Sequence, residues 1–234
     1  MRFEIEKNIF EHFPGMKIVA VVAKDMQPTE HAAKITAALA EAWQIGAAAA
    51  TAYENPQSHP SIQPWGERMK ALHAPRKQFP SSIEALVRRA GKSDMPVSIN
   101  PLVDFYNAVS LKYLVPAGGF DLDALDNDLQ LRFSQQGDTF LALDSEEEIT
   151  VPKGEVSYAC GTIIITRHFV WKQAKHAILM PGSKNVIFVS EVLGELPPPT
   201  AADVGAALVA GLKQYFGIET AAHILDVNHN SMEL

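Results

Sequence analysis

The sequence predicts an α+β fold with a largely antiparallel sheet and flanking helices. In the first part of the chain apolar residues recur at helical spacing, as at Ile35, Leu39 and Trp43. Beyond residue 99, short runs rich in β-branched and aromatic residues alternate with turn residues at close intervals. The 234 residues are 47% hydrophobic, enough to bury a sizeable core at the upper end of what one domain spans. We therefore expect one domain over 1–234, with an α-rich part, 1–98, and a β-rich part, 99–234, packed as one α+β unit.

Each element has a local reason. Residues 16–23 have the β-branched enrichment of a buried strand, and Gln27-Pro-Thr-Glu opens a helix with Thr29 as its N-cap. The run Ala47 to Ala50 after Gly46 predicts a second, close-packed helical piece. Pro56, Pro60, Pro64 and Pro75 then divide the chain into short pieces around Trp65 to Leu72. Ser81-Ser-Ile-Glu84 is a capping box, in which the serine hydroxyl accepts an early backbone N–H while Glu84 reaches back; its helix runs through Arg89 and ends near Gly91. Asn100-Pro101 is another helix start, because asparagine accepts from orphan N–H groups and proline at the first helical position loses nothing. Short strands are predicted at 129–133, 139–143, 149–151, 155–159 and 162–166, with turns at Gly137, Gly154 and Gly161, and another strand at 184–190. After Pro197, Pro198 and Pro199, Thr200-Ala-Ala-Asp203 caps a helix with the stripe Val204, Leu208, Leu212 and Phe216, and Gly217 ends it.

Composition narrows the function classes. No apolar run is long enough to span a membrane and the first residues are charged, so neither a span nor a secretory signal is indicated, and a cytoplasmic location is expected. The single cysteine, Cys160, has no internal partner and no obvious base beside it, and no Cys/His group has zinc-site spacing; no metal or cofactor is expected. A net charge of −7 argues against nucleic acid until its distribution is read. Arg68, Lys70, Arg76, Lys77, Arg88, Arg89 and Lys92 share their stretch with one acid, Glu84. This cluster is either a solvated helical face or a patch that contacts phosphates.

The stretch from Asn100 to Asp121 places polar groups and a glycine pair where a packed core would exclude them. Asp104 and Asn107 lie three apart on one side of the expected helix, either as pocket residues or as internal hydrogen-bonders that fix a loop. Gly118 and Gly119, before Phe120, allow a turn whose successive N–H groups face one oxygen, although most such pairs are simply turns. Asp121 and Asp123 cap a short helical piece over 122–125. Continuing the strand from Thr162, the two-residue period puts Arg167, Phe169, Trp171 and Gln173 on one face and His168, Val170 and Lys172 on the other. An arginine, an aromatic platform and an amide suit stacking on a base and binding a phosphate or carboxylate; the alternative is a cation over an indole in a cross-strand ladder.

The order and spacing of several pieces carry a family resemblance: Ile83-Glu-Ala-Leu-Val-Arg88-Arg89, the run from Ile99 to Asn107, Pro116-Ala-Gly-Gly-Phe-Asp-Leu-Asp123, Gly154-Glu155-Val, and Arg167 to Gln173. Together they resemble the B3/B4 module of the phenylalanyl-tRNA synthetase β subunit, in particular the free-standing proteins built from that module. The resemblance implies a layered β/β/α domain. Within the synthetase the module hydrolyses tRNA charged with the wrong amino acid, typically tyrosine in place of phenylalanine. This chain has Gly118 where the synthetase pattern has the histidine associated with editing, and the region from Trp171 to Lys175 where the synthetase has a Gly-Gly-Glu element.

The resemblance thus implies a tRNA-binding, free-standing editing factor that hydrolyses an aminoacyl ester, and not an enzyme that aminoacylates alone. Asn107 or Glu155 would orient a water, the amides of Gly118 and Gly119 would stabilise the oxyanion, and Asp104, Phe120, Arg167, Trp171 and Gln173 would complete the pocket. Arg68, Arg76, Lys77, Arg88, Arg89 and Lys92 would hold tRNA phosphates. The alternatives are a non-catalytic tRNA- or RNA-binding module and a protein that binds a small amino acid or metabolite, with Arg167 on its carboxylate and Trp171 on its side chain.

Overall fold

A computed structural model of the protein describes residues 1–234. The chain runs β1 (Arg2–Ile5), α1 (Ile9–His12), β2 (Lys17–Ala23), α2 (Ala32–Thr51), α3 (Gln63–Ala71), α4 (Ser82–Ala90) and α5 (Pro101–Tyr113). It continues through β3 (Ala117–Asp121), β4 (Leu129–Phe133), β5 (Thr139–Leu141), β6 (Glu148–Thr150), β7 (Val156–Cys160), β8 (Ile163–Arg167), β9 (Lys172–Gln173), β10 (Val186–Val192), α6 (Thr200–Phe216), β11 (Ala222–Leu225) and β12 (Ser231–Glu233). No helix is long and apolar enough to cross a membrane.

Two sheets and a helical layer stack in that order. The larger sheet runs β12-β1-β4-β7-β8-β5-β6, with β9 added on β8; the smaller is β11-β2-β10-β3 and wholly antiparallel. Parallel pairing is confined to β1 with β4 and β5 with β8. Alternation along β10 turns Phe188 toward Phe105 of α5, at 5.5 Å between ring centroids, and leaves Ile187, Val189 and Glu191 for the face toward the larger sheet. There Phe120 of β3 meets Tyr158 of β7 at 5.3 Å. One apolar core passes from the helices through both sheets, and a small second cluster around Phe140 and Ile164 covers the far side of the larger sheet. The fold class expected from sequence is the one observed.

Some helix ends follow the expected capping residues, but α6 begins at Thr200 itself, after Pro199, with no side-chain cap. Asn100 accepts from the N–H groups of Leu102 and Val103, both at 3.0 Å, and Gly217 closes α6 in the left-handed region at φ 70°. The capping box is half made: Ser81 accepts from the Glu84 N–H at 3.4 Å, but the Glu84 carboxylate turns to Arg88 instead of reaching back. Thr29 lies ahead of α2, where its hydroxyl accepts from the His31 N–H at 2.9 Å. The expected second helical piece at Ala47 is the continuation of α2 through Gly46. A Cβ at Gly46 would come within 2.7 Å of Leu111, so a small residue lets α5 approach closely without breaking the helix. The α-rich and β-rich parts interleave in the fold. β1 and β2 come from the first part and α5 and α6 from the second, because the outer strands pair across the whole chain, as in Arg2 with Glu233.

Candidate functional site

A cleft of about 200 Å³ opens between the two sheets where α4 and α5 cross the free edge of β3. α4 contributes Ser82, Leu86 and Arg89; Ile99 and α5 contribute Val103, Tyr106 and Asn107. β3 supplies residues 117–120, and the larger sheet supplies Tyr158, Thr166, Phe169, Val170, Trp171 and Gln173. Val189 and Glu191 of β10 complete the wall. Of the pocket residues expected from sequence, the fold brings Asn107, Gly118, Gly119, Phe120, Trp171 and Gln173 to this cleft, together with Arg89 from the basic cluster.

Three expected members lie elsewhere. The buried Asp104 carboxylate accepts from Ser98 Oγ and the Ile99 N–H, so it ties down the segment before α5. Glu155 and Arg167 hold each other: both carboxylate oxygens accept from the guanidinium, the shortest bond being 2.6 Å, and Glu155 also accepts the His168 N–H at 2.8 Å. This explains why the expected continuous strand over 162–173 is broken. His168 and Phe169 take left-handed φ of 44° and 61°, and β9 folds back antiparallel on β8, with Thr166 opposite Gln173. Phe169, Val170 and Trp171 thereby reach the cleft while Arg167 turns toward Glu155. The guanidinium also sits 5.8 Å from the Trp171 ring centroid, which is the cation-over-indole alternative.

The glycine pair is not a turn. Gly118 and Gly119 lie within β3, register with Val189 and Phe188, and have no left-handed φ. Successive N–H groups of an extended strand point to opposite sides, so these two cannot converge on one oxygen. The two glycines also differ in surroundings. A Cβ at Gly119 would meet Leu179 Cδ1 at 2.7 Å and the Ile187 carbonyl at 3.1 Å, whereas a Cβ at Gly118 would meet nothing within 4 Å. Gln173 Nε2 donates to the Gly119 carbonyl at 3.1 Å and fixes the cleft's edge.

Glu191 was not singled out from sequence, yet it is the charged group set deepest in the cleft. It is 3% exposed, and the Tyr158 hydroxyl donates to its Oε1 at 2.5 Å. Burial raises the carboxyl from 4.5 to about 7. Burial, and next the adjacent Glu191 charge, push Tyr158 well above its ordinary value, so it stays a neutral phenol. At the side of the cleft, burial and then Asp104 raise Tyr106 to about 12. The one available signal was an acid inside the run Val186–Val192, whose other residues are apolar apart from Ser190.

The basic cluster divides by partner. Arg68 pairs with Glu195 and Arg88 with Glu84, at 2.6 Å for the second pair. Arg76 donates to the Gln57 carbonyl at 3.3 Å and lies over Gly66, where a Cβ would come within 2.9 Å of its Cδ. Arg89, Lys77 and Lys92 are exposed and take part in no ion pair. A second cleft of about 470 Å³, with no apolar wall residue, contains Lys70, Arg76 and Lys77.

The B3/4 domain pattern matches residues 69–196. Among solved structures, the chain is similar to an N-terminal fragment of the phenylalanyl-tRNA synthetase β-subunit from Pyrococcus horikoshii, at 9% sequence identity and a TM-score of 0.44, covering 93% of this chain and 49% of that one. The chain thus spans about half the length of that fragment. No curated protein matches it. The matched pattern covers more than half of the sequence and includes the helices and strands that wall the cleft, and on that basis the chain belongs to the B3/4 domain family.

Proposed function

We propose that this B3/4 protein binds aminoacyl-tRNA and hydrolyses the ester of a wrongly attached amino acid in trans. The observation that carries the reading is the cleft of about 200 Å³. It is smaller than the roughly 300–1,000 Å³ of sites for drug-sized ligands, and its size suits one aminoacyl group. Its aromatic walls would take the side chain, and the exposed cations Arg89, at the lip, Lys77 and Lys92 would meet tRNA phosphates. In the reaction a water oxygen bonds to the ester carbonyl carbon and the bond from that carbon to the ribose oxygen breaks. A proton passes to the ribose oxygen, giving a free amino acid and uncharged tRNA. The ester is already activated, so positioning contributes much of the acceleration and no covalent intermediate is needed. Asn107 is the amide side chain on α5 able to orient water or carbonyl there.

The test is deacylation of a panel of mischarged tRNAs by the full chain. Accelerated loss of at least one amino acid is expected, and flat time courses for every member would remove the catalytic claim. Two observations favour a binding-only reading: the amides of Gly118 and Gly119 diverge, and Glu155 is occupied by Arg167. On that reading tRNA affinity persists without turnover. Thermal stabilisation by free amino acids, with no tRNA affinity at low salt, would instead select a small-molecule site.

A further inference from the structure

Glu191 presents an unusual combination of burial and isolation. It sits within the sheet interior and lines the cleft, its one side-chain partner is the neutral Tyr158 hydroxyl, and no cation acts on it. Dehydrating a carboxylate costs several kcal/mol unless a positive group or a proton compensates. The protein supplies no positive group, and below about pH 7 the acid keeps a proton instead. What it does supply around the acid is aromatic surface, from Phe120, Tyr158, Phe169 and Trp171, all on the same cleft.

Gly118 adds an independent observation. Glycine inside a strand weakens it, by roughly 0.5–1 kcal/mol relative to alanine, and its usual reasons are a left-handed φ or a crowded neighbour. Neither applies at Gly118, where φ is not left-handed and a Cβ would find open space. The remaining reason is close approach of something outside the chain to the bare backbone. Gly118 registers with Val189, and Glu191 follows two residues on along the same face of β10, about 7 Å away along the strand. A compact ligand lying over Gly118 therefore reaches the acid.

We propose that the cleft is an ammonium-recognising site, in which Glu191 receives the protonated primary amine of an amino acid or its ester while Gly118 leaves the clearance over which that ligand lies. The acid accepts the N–H donors and neutralises the charge, and the rings add cation–π attraction. The inference names the chemical class held by the cleft already assigned to the aminoacyl group and rests on that assignment.

The experiment measures binding of phenylalaninamide and of N-acetylphenylalaninamide to the full chain by calorimetry. The free amine should bind at least about tenfold more tightly, the usual value of a hydrogen bond to a charged group. Glu191→Gln should erase that preference by weakening only the amine, and Gly118→Val should weaken both probes. Equal affinity for the two probes on the unaltered protein, or no binding of either, overturns the proposal without reliance on any variant. Cleavage separates it from the hydrolytic reading. Equal turnover of aminoacyl-tRNA and N-acetylaminoacyl-tRNA keeps the hydrolase and sinks the ammonium site, whereas amine-dependent binding with no turnover does the reverse.

Discussion

Replacing Glu191 by glutamine should stabilise the protein more at pH 8 than at pH 5, by an amount that this one acid determines. Burial lifts its carboxyl from 4.5 to about 7, opposed more weakly by the hydrogen bond from Tyr158. Between those values the folded chain keeps a proton that the unfolded chain has released. Stability is therefore fully present below pH 4.5, declines as pH rises through the interval, and levels off above 7. At about 1.4 kcal/mol per pH unit the whole interval is worth about 3 kcal/mol, most of it between pH 5 and 8. His168 opposes this slope in the parent. Burial lowers it from 6.5 to about 4, so the unfolded chain holds the extra proton and stability rises with pH between 4 and 6.5. Solvent screening makes that contribution the smaller one. It is common to parent and variant and cancels in their difference, and the glutamine carbonyl can still accept the Tyr158 hydroxyl. Urea unfolding followed by circular dichroism at both pH values should show the variant's advantage growing by about 2–3 kcal/mol, or roughly 5–10 °C in Tm for a chain of this size. A difference between parent and variant that does not change with pH would refute the dehydrated acid, and the ammonium site with it.

The two neighbouring glycines should respond oppositely to alanine. Gly119→Ala forces a Cβ against Leu179 and the Ile187 carbonyl and should cost about 1–3 kcal/mol, whereas Gly118→Ala meets nothing and should be neutral or stabilising by up to about 1 kcal/mol; thermal melts read both. Arg167→Ala strips the buried Glu155 of its cation and should destabilise by about 3–5 kcal/mol in urea titrations, an effect that a phosphate-binding arginine would not show. Arg89→Glu should weaken tRNA binding and lower the slope of log affinity against log salt by about 1, and Arg68→Ala, whose guanidinium already faces Glu195, should leave that slope unchanged in filter-binding assays. Asn100→Ala removes the acceptor of two backbone N–H groups and should cost about 1 kcal/mol, measured by chemical unfolding.

Much of the fold was legible because its signals are local. Asn100, Ser81 and Gly217 mark helix ends through bonds and angles that lie within a few residues of each other, and 129–133 reads as a strand from its own alternation and is β4. β1, β11 and β12 were not legible, since short segments become strands only when distant partners supply their hydrogen bonds, as Arg2 and Glu233 do for each other. The same limit governed the site. Gly-Gly reads as a turn until β10 pairs with it, and Arg167 reads as a ligand-binding cation until the fold brings Glu155 to it.

The amino-acid sequence by itself determined the α+β class, the family pattern and part of the cleft's walls, because periodicity, capping and motif spacing are properties of the chain in one dimension. Only the tertiary structure decided which carboxylate loses its water and which glycine faces open space. Glu191 and Gly118 acquire those properties from the sheet and the helices laid over them. Dehydration and free volume depend on what surrounds a group in three dimensions, and neighbours along the chain do not specify that.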